Sequence, residues 1–570
     1  MSTLATGSPA ADVLAPGATD ALSTGSLAAN SAGSLVQSVD WLAIAPAAIP
    51  AVIALLVLVA DLFLPKEKKA LLGWFTIGGL ALAALALVPL RHGERRTFCL
   101  TTRMGECSYV ADHFTIIVQL LVIGGALLTA LLSMHTMDEL PAGEYWFLLL
   151  SSAAGAALLP ASRDLATLVV ALEVATLPAF ALVGIKRGDR LSSEAALKFF
   201  LSSVAATAVT LLGVSFVYAA TGTLHLASIA DALGDVQPQL AILAKVGAAL
   251  TLVGFAFKLA VAPFHFWVPD TYVGAPLPIA AYLSVVGKAA GFSGLILVTV
   301  IAFEPLADVW GPVVAVLAAL TMTVGNVAAL RQRAGHAHSA VRLLAWSSIG
   351  QAGYLLVPIA AAAHSDDPAH QIGTTVAYAL MYAAVNLGAF AVAALVARTA
   401  PSNRLTDYRG LYATHPLAAL AMAFFLLCLA GLPPGIIGLF AKVAVFSSIV
   451  GTGPAWLAVV MAVNVVIALV YYLRWTAILF AKPEPALGVD AATDAVTDAV
   501  TPAAGTGAGV GGGVGAGVGA GLGGGVAVAT ASATRTPVPL TAAIALTAAL
   551  GIVLSGVPQL VLRYASGVLL

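Results

Sequence analysis

Of the 26 lysines and arginines in this 570-residue chain, 21 fall in polar breaks or towards the ends of long apolar runs. The other five are lysines inside those runs: Lys198, Lys245, Lys258, Lys288 and Lys442. One carboxylate, Glu173 in VVALEVATLPAF, lies equally deep. A charge at the middle of a bilayer costs on the order of 3 kcal/mol on insertion scales, so these residues call for a reason. A long lysine near a helix end can reach the interface at little cost. That accounts for Lys245, close to an outer end, and leaves Lys198, near an inner end, open. Glu173, Lys258, Lys288 and Lys442 sit about half a span from either end. Burial disfavours the charged form of both lysine and glutamate, and pairing restores it. A Glu–Lys pair in a dry interior has two low-lying arrangements, ionised together or neutral apart, and titrates as a unit. Opening or closing the pair changes a lysine's proton affinity, which suits proton relay better than binding of a large solute. His265, seven residues after Lys258, is two helical turns on, and an imidazole both accepts and donates a proton near neutral pH. The competing reading of His265 is a satisfied structural histidine.

The elements that must carry these side chains are long apolar segments, two of them interrupted. The run 239–267 contains Pro263, and 416–450 contains Pro433-Pro434-Gly435. Proline supplies no N–H, so carbonyls near Lys258 and Lys442 lose helical partners. Irregular backbone at membrane depth is tolerated only beside protein or a water-filled cavity. The full set of predicted spans is 41–63, 69–90, 113–134, 144–160, 164–185, 196–220, 239–267, 276–302, 309–330, 341–361, 373–397, 416–450, 455–480 and 537–562. The interrupted ones are the seventh and twelfth. An offset of five is odd, so they cross in opposite directions, as two inverted five-helix repeats over 144–302 and 309–480 require. Residues 40–143 then supply the first three helices.

Composition agrees. Hydrophobic residues make up 60% of the chain and charged ones 9%, against about 25% charged in globular domains. This excludes a soluble enzyme. The runs are continuous rather than alternating, so the class is an all-α polytopic membrane protein and not a barrel. Net charge is −1, which argues against a nucleic-acid partner. No CxxC or Cys/His cluster has metal spacing. Residues 1–39, without Lys, Arg or His, read as a disordered extension and not a signal peptide. The Gly/Ala-rich stretch 483–536 reads as a flexible linker. Gly519, Gly521 and Gly524 match GxGxxG there, but the tract has no flanking strand for a dinucleotide. Alternate loops hold fifteen Lys/Arg against six on the other side, which places the rich side in the cytoplasm and both termini outside. Cys99 and Cys107 fall in an outer loop, either disulfide-bonded or as two thiols; Cys428 lies within a span as packing.

At these residues the sequence resembles the antiporter-like membrane subunits of respiratory complex I. The carriers are FKLAVAPFHFWVPDTYVGAPLPIAAYLSVVGKAAGF (257–292), LEVATLPAFALVG, RLLAWSSIGQAGY and AGLPPGIIGLFAKVAVF. The form PFHxWxPDxYxGAP resembles subunit N rather than subunits L and M, which have a PLHTWLPDA-like segment. The likeness covers about 41–480 and the last span. It implies fourteen helices, two inverted repeats, a bacterial plasma-membrane location and proton translocation coupled to quinone reduction elsewhere in the complex. By matching motif, Glu173 corresponds to the fifth-helix glutamate, Lys198 to the sixth-helix lysine, Lys258 to the seventh, Lys288 to the eighth and Lys442 to the twelfth. A glutamate is expected at the last position in subunit M, so Lys442 also favours N. NADH, FMN, Fe–S clusters and quinone are implied in other subunits, with no cofactor on this chain; its partners are other membrane subunits of the complex and the lipid bilayer. The extension and the Gly-rich insert depart from the family plan.

Two other readings compete. A subunit of an Mrp-type multi-subunit cation/proton antiporter shares the repeat and the lysines, but VPDTYVGAP argues against it. A membrane scaffold would use the buried charges only to lock helices together. The relay reading makes three geometric demands. Glu173 and Lys258 must be near enough to pair. Lys258, His265, Lys288 and Lys442 must form a polar row at mid-membrane. Lys442 must be the terminal site.

Overall fold

The computed structural model describes residues 39–100, 106–137, 139–452, 454–482 and 537–557. The predicted N-terminal extension, the Gly/Ala-rich linker with its GxGxxG match, and the chain beyond 557 lie outside the described residues.

Apolar composition over about 20 residues makes these segments helical in a bilayer, because only a helix satisfies every backbone group internally. Among the described residues, thirteen helices are long and apolar enough to span. In chain order the helices begin with α1 (Trp41–Phe63), α2 (Ala70–Leu85), α3 (His113–Ser133), α4 (Ala142–Leu158), α5 (Leu165–Val183) and α6 (Arg190–Thr221). Next come α7 (Leu226–Gly234), α8 (Ala241–Leu259), α9 (Val268–Gly274), α10 (Leu277–Tyr282), α11 (Lys288–Ile296), α12 (Ala307–Leu330), α13 (Ser339–Ala362) and α14 (Pro368–Ala397). The last are α15 (Leu411–Thr414), α16 (Pro416–Ala430), α17 (Ile436–Thr452), α18 (Ala455–Phe480) and α19 (Val538–Gly556). The shorter apolar helices α16 and α17 are the two halves of the predicted twelfth span. Asp40, Asp112, Asp164, Asp189 and Asp367 cap the N-termini of α1, α3, α5, α6 and α14, each side chain accepting from first-turn amides. A carboxylate there meets orphan donors and the positive end of the helix dipole.

Both predicted interruptions are present. The seventh span stops at Leu259, with Ala260 in the left-handed region at φ 63°, and resumes as α9. An alanine in that region costs of order 1 kcal/mol, so surrounding packing holds the break. The twelfth stops at Ala430, capped by Gly431 at φ 83°. The predicted eighth span is continuous from α10 to α11, but π-helical over Leu283–Gly287, directly before Lys288, and again over Leu297–Ala302. Such widened turns shift the helix face and recur at functional sites.

The centre of the bundle is the α10–α11 helix with α13 and α14, which are almost wholly buried, whereas α1, α6 and α19 keep broad apolar outer faces. Those faces need no protein cover in a bilayer. Two elements were absent from the sequence reading. A hairpin of β1 (Arg95–Cys99) and β2 (Cys107–Ala111) pairs antiparallel with Thr97 opposite Tyr109, and the Cys99–Cys107 disulfide closes it. The amphipathic α7 follows α6, with Leu226, Ile229 and Leu233 turned inward. Cys428 is buried and free, as expected.

Candidate proton-transfer site

Lys258, Lys288 and Lys442 are 4%, 3% and 5% exposed, so none of the three points into lipid. The broken helices explain how each is held. The last carbonyls of a helix lack partners, and at a break inside the bundle side chains can supply them. Lys288 Nζ donates to Leu259 O, at the end of α8, over 3.0 Å. Lys442 Nζ donates to Leu429 O and Ala430 O, at the end of α16, over 2.8 and 2.9 Å. Each lysine therefore caps the C-terminus of an interrupted helix, where the dipole also favours a cation. No carboxylate is needed at either place. Gly431 makes the second cap fit: a Cβ there would meet Lys442 Cδ at 3.0 Å, and its φ suits glycine. Lys442 Nζ also lies 5.4 Å from the Tyr354 ring centre.

Lys258, one residue before the end of α8, is held differently. Its Nζ donates to Thr176 Oγ1 over 2.6 Å, and that hydroxyl donates on to Leu172 O. The Phe199 ring centre is 5.9 Å away. Beside it Tyr282 OH donates to Ser152 Oγ, lining a cavity of about 10 Å³, the scale of a single water.

Glu173 is half-buried and does not pair with Lys258: no ion pair joins them, and Glu173 Oε1 instead accepts from Thr207 Oγ1 over 2.6 Å. Residues 173 and 176 lie three apart on α5, so one helix face carries both the acid and the hydroxyl that holds the base. The pair is open in this structure, each partner resting on a threonine.

Lys198, left open by the sequence, and His265 do not join the buried lysines. Lys198 is 47% exposed and forms ion pairs with Glu194 and Asp270 at 2.8 and 2.7 Å, and Asp270 also receives Arg342. It is an exposed, ion-paired charge outside the buried set. His265 lies in the link between α8 and α9, its ring centre 5.7 Å from that of Trp346. Its Nδ1 is buried without a hydrogen-bond partner, and no hydrogen bond joins it to a lysine. Ala260 turns the chain, so the seven-residue spacing does not stack it under Lys258.

The sequence reading missed three buried hydroxyl–amide clusters carried by the α10–α11 helix, α12, α13, α14 and α18. Ser284, one turn before Lys288, accepts from Asn386 Nδ2 at its Oγ (2.7 Å) and from Tyr382 OH at its carbonyl; Tyr382 OH also pairs with Ser348. Tyr378 OH donates to Gln351, whose Nε2 donates to Tyr472 OH, itself bonded to Ser347. Tyr471 OH donates to Asn326 Oδ1, and Asn326 reaches Asn464. The only advance signal was SSIGQAGY with tyrosines elsewhere on apolar faces, which reads equally well as core.

On the lysine- and arginine-rich side a cavity of about 670 Å³ opens between the loops, lined by His135, Glu139, Lys186, His338 and Arg398 and reaching Pro276 at the start of α10. Burial pushes His135, Lys186 and His338 below their usual values. Arg398 adds to this at His135, and Lys186 and Arg342 add to it at His338.

Residues 162–468 match the family described as NADH:quinone oxidoreductase/Mrp antiporter, TM. The chain is 70% identical to NADH-quinone oxidoreductase subunit N 2 of Streptomyces griseus, over 93% of this chain and 94% of that one. The chain belongs to the subunit N family of NADH-quinone oxidoreductases. Subunit N of Salinispora tropica is 45% identical over 80% of this chain and 87% of its own. Among solved structures, a chain of respiratory complex I from Thermus thermophilus superposes with a TM-score of 0.67 at 29% identity, covering 92% of this chain and all of that one. The Mrp complex from Dietzia sp. matches at a TM-score of 0.72 and 21% identity, over 92% of this chain and 96% of that one, a likeness of fold alone. The subunit N relatives thus separate this multi-pass membrane protein from the Mrp reading, which the fold could not do.

Proposed function

We propose that this chain is the proton-translocating, non-redox subunit N of a bacterial NADH:quinone oxidoreductase. NADH, FMN, Fe–S clusters and quinone act in other subunits, and neighbouring antiporter-like and small membrane subunits are its partners. The observation that carries the reading is the lysine cap: two buried lysines, each on the carbonyls of a different broken helix, in a chain of this family. A cation held by carbonyls and a dipole rather than a carboxylate is stable enough to exist and loose enough to lose its proton.

In the relay, Glu173 and Lys258 form the input pair. Closing the pair charges Lys258 and draws it from Thr176; opening it returns Glu173 to Thr207. Lys288 takes the proton next, since its Nζ holds the carbonyl of Leu259, the residue after Lys258. Lys442 is the terminal site, in the half-helix beyond the second break, and releases to the outer face or a neighbouring subunit. His265 stands by with an unpartnered nitrogen, and the separate hydroxyl clusters at Ser284 and at Tyr472 are stations that intervening water would join. The inverted repeats 144–302 and 309–480 place the two breaks in opposite senses, with the basic loops in the cytoplasm and both termini outside.

The test uses the intact complex in vesicles. Lys258→Met should leave assembly near normal and abolish this subunit's proton uptake during NADH oxidation. A scaffold would instead fail to assemble. An Mrp-type role would show as cation/proton exchange without NADH, with no flavin-containing subunits co-purifying.

A further inference from the structure

A second, apolar cavity of about 290 Å³ lies outside the relay, in a cleft between α8 and α12. Its walls include Ala249 and Ala256 of α8, Pro263 and Phe264 of the link, and Val313 of α12. Pro263 is exposed and Val313 is 49% exposed, so the cleft opens at the outer surface of the bundle. The single charged group in its lining is Lys245, exposed and with no ion pair among the described residues. Trp310 also lines the cleft, its indole N–H satisfied by Phe303 O, so it offers only an apolar ring.

Depth selects the occupant. Lys245 and Ala256 are eleven residues apart on α8, about 16 Å at 1.5 Å per residue. Half of a hydrocarbon core of roughly 30 Å is about 15 Å. The cleft therefore runs from headgroup level to the bilayer centre, the reach of one acyl chain of one leaflet, with a lone cation at the headgroup end. We propose that it is a binding site for an anionic phospholipid, its phosphate on Lys245 and one acyl chain laid along α8 to Pro263. A zwitterionic lipid would fill the apolar part and gain less from Lys245. The tail would pack on the outer side of the link that follows Leu259, whose carbonyl Lys288 holds.

The experiment is photo-crosslinking in the whole complex reconstituted in phosphatidylcholine vesicles. The probes are phosphatidylglycerol and phosphatidylcholine carrying a diazirine on the acyl chain, with adducts mapped by mass spectrometry. The proposal expects adducts on the peptides bearing Phe264 and Val313. The phosphatidylglycerol probe should label them about fivefold more, the equivalent of ~1 kcal/mol for one lysine near the surface. Lys245→Gln should bring the two probes to parity, and Ala249→Phe, which fills the cleft, should remove both. Labelling of the exposed face of α1 is the control and should stay constant. Absence of adducts in the cleft while α1 is labelled would mean that a neighbouring subunit covers it, and would overturn the proposal. Equal labelling by both probes in the unaltered chain would overturn the anionic specificity.

Discussion

At the scale of single residues, the half-buried acid and the buried base each rest on a threonine rather than on each other. Thr176 Oγ1 is both the acceptor for Lys258 and a donor to Leu172 O, so its hydroxyl sets where Nζ waits. A hydrogen bond to a charged group is worth roughly 1.5–3 kcal/mol. Thr176→Val should therefore lower proton translocation about tenfold or more in assembled complex, and Thr176→Ser should restore it; vesicle acidification per NADH oxidised is the readout. The identity of the buried charges was legible in the sequence, because a lysine in the middle of an apolar run has no inexpensive explanation. Their partners were not. Carbonyls at a helix end and threonine hydroxyls leave no type-specific mark, and Lys198 stayed open in the sequence because one of its ion-pair partners, Asp270, is 72 residues away.

Elements carry the caps. The second break works because α17 crosses α16 at very short range: a Cβ on Gly438 would meet Cys428 O at 1.8 Å. Gly438→Ala must therefore push the half-helices apart and pull Lys442 off Leu429 and Ala430. Overpacking of this kind costs typically 1–3 kcal/mol. Loss of pumping with reduced yield of assembled complex is expected, against no change for Gly451→Ala, where a Cβ meets nothing within 4 Å. The spans and both breaks could be read from hydropathy and proline. The hairpin could not, because its five-residue strands lie in a polar loop without an apolar pattern, nor could the π-turns before Lys288, since widened turns have no composition of their own. The hydroxyl clusters escaped for a related reason: tyrosines at helical spacing look like packing until their oxygens meet.

For the whole molecule, the cavity on the basic side brings His135 and His338 among charged loop residues. His338 faces Lys186, Arg342 and Asp189, and His135 faces Arg398 and Glu139, both histidines held below the ordinary value of about 6.5. The unfolded chain then binds protons more readily, so stability is complete above about pH 6.5 and falls as pH drops through that value towards the folded ones. The thermal midpoint of the purified complex should decline on acidification below about pH 6.5. His338→Asn, which tolerates the left-handed φ of 57° and does not titrate, should flatten that decline; an unchanged slope would place the acid sensitivity elsewhere. The central claim is that the lysine caps are proton carriers and not only fixed cations closing broken helices. Lys442 decides it, because arginine can cap carbonyls as well as lysine does but does not give up its proton. The measurement is proton uptake and quinone reductase activity in vesicles for Lys442→Arg beside Lys442→Ala. The relay account predicts that both variants assemble and that neither pumps through this subunit; full pumping by Lys442→Arg would show that a fixed charge suffices and would contradict it.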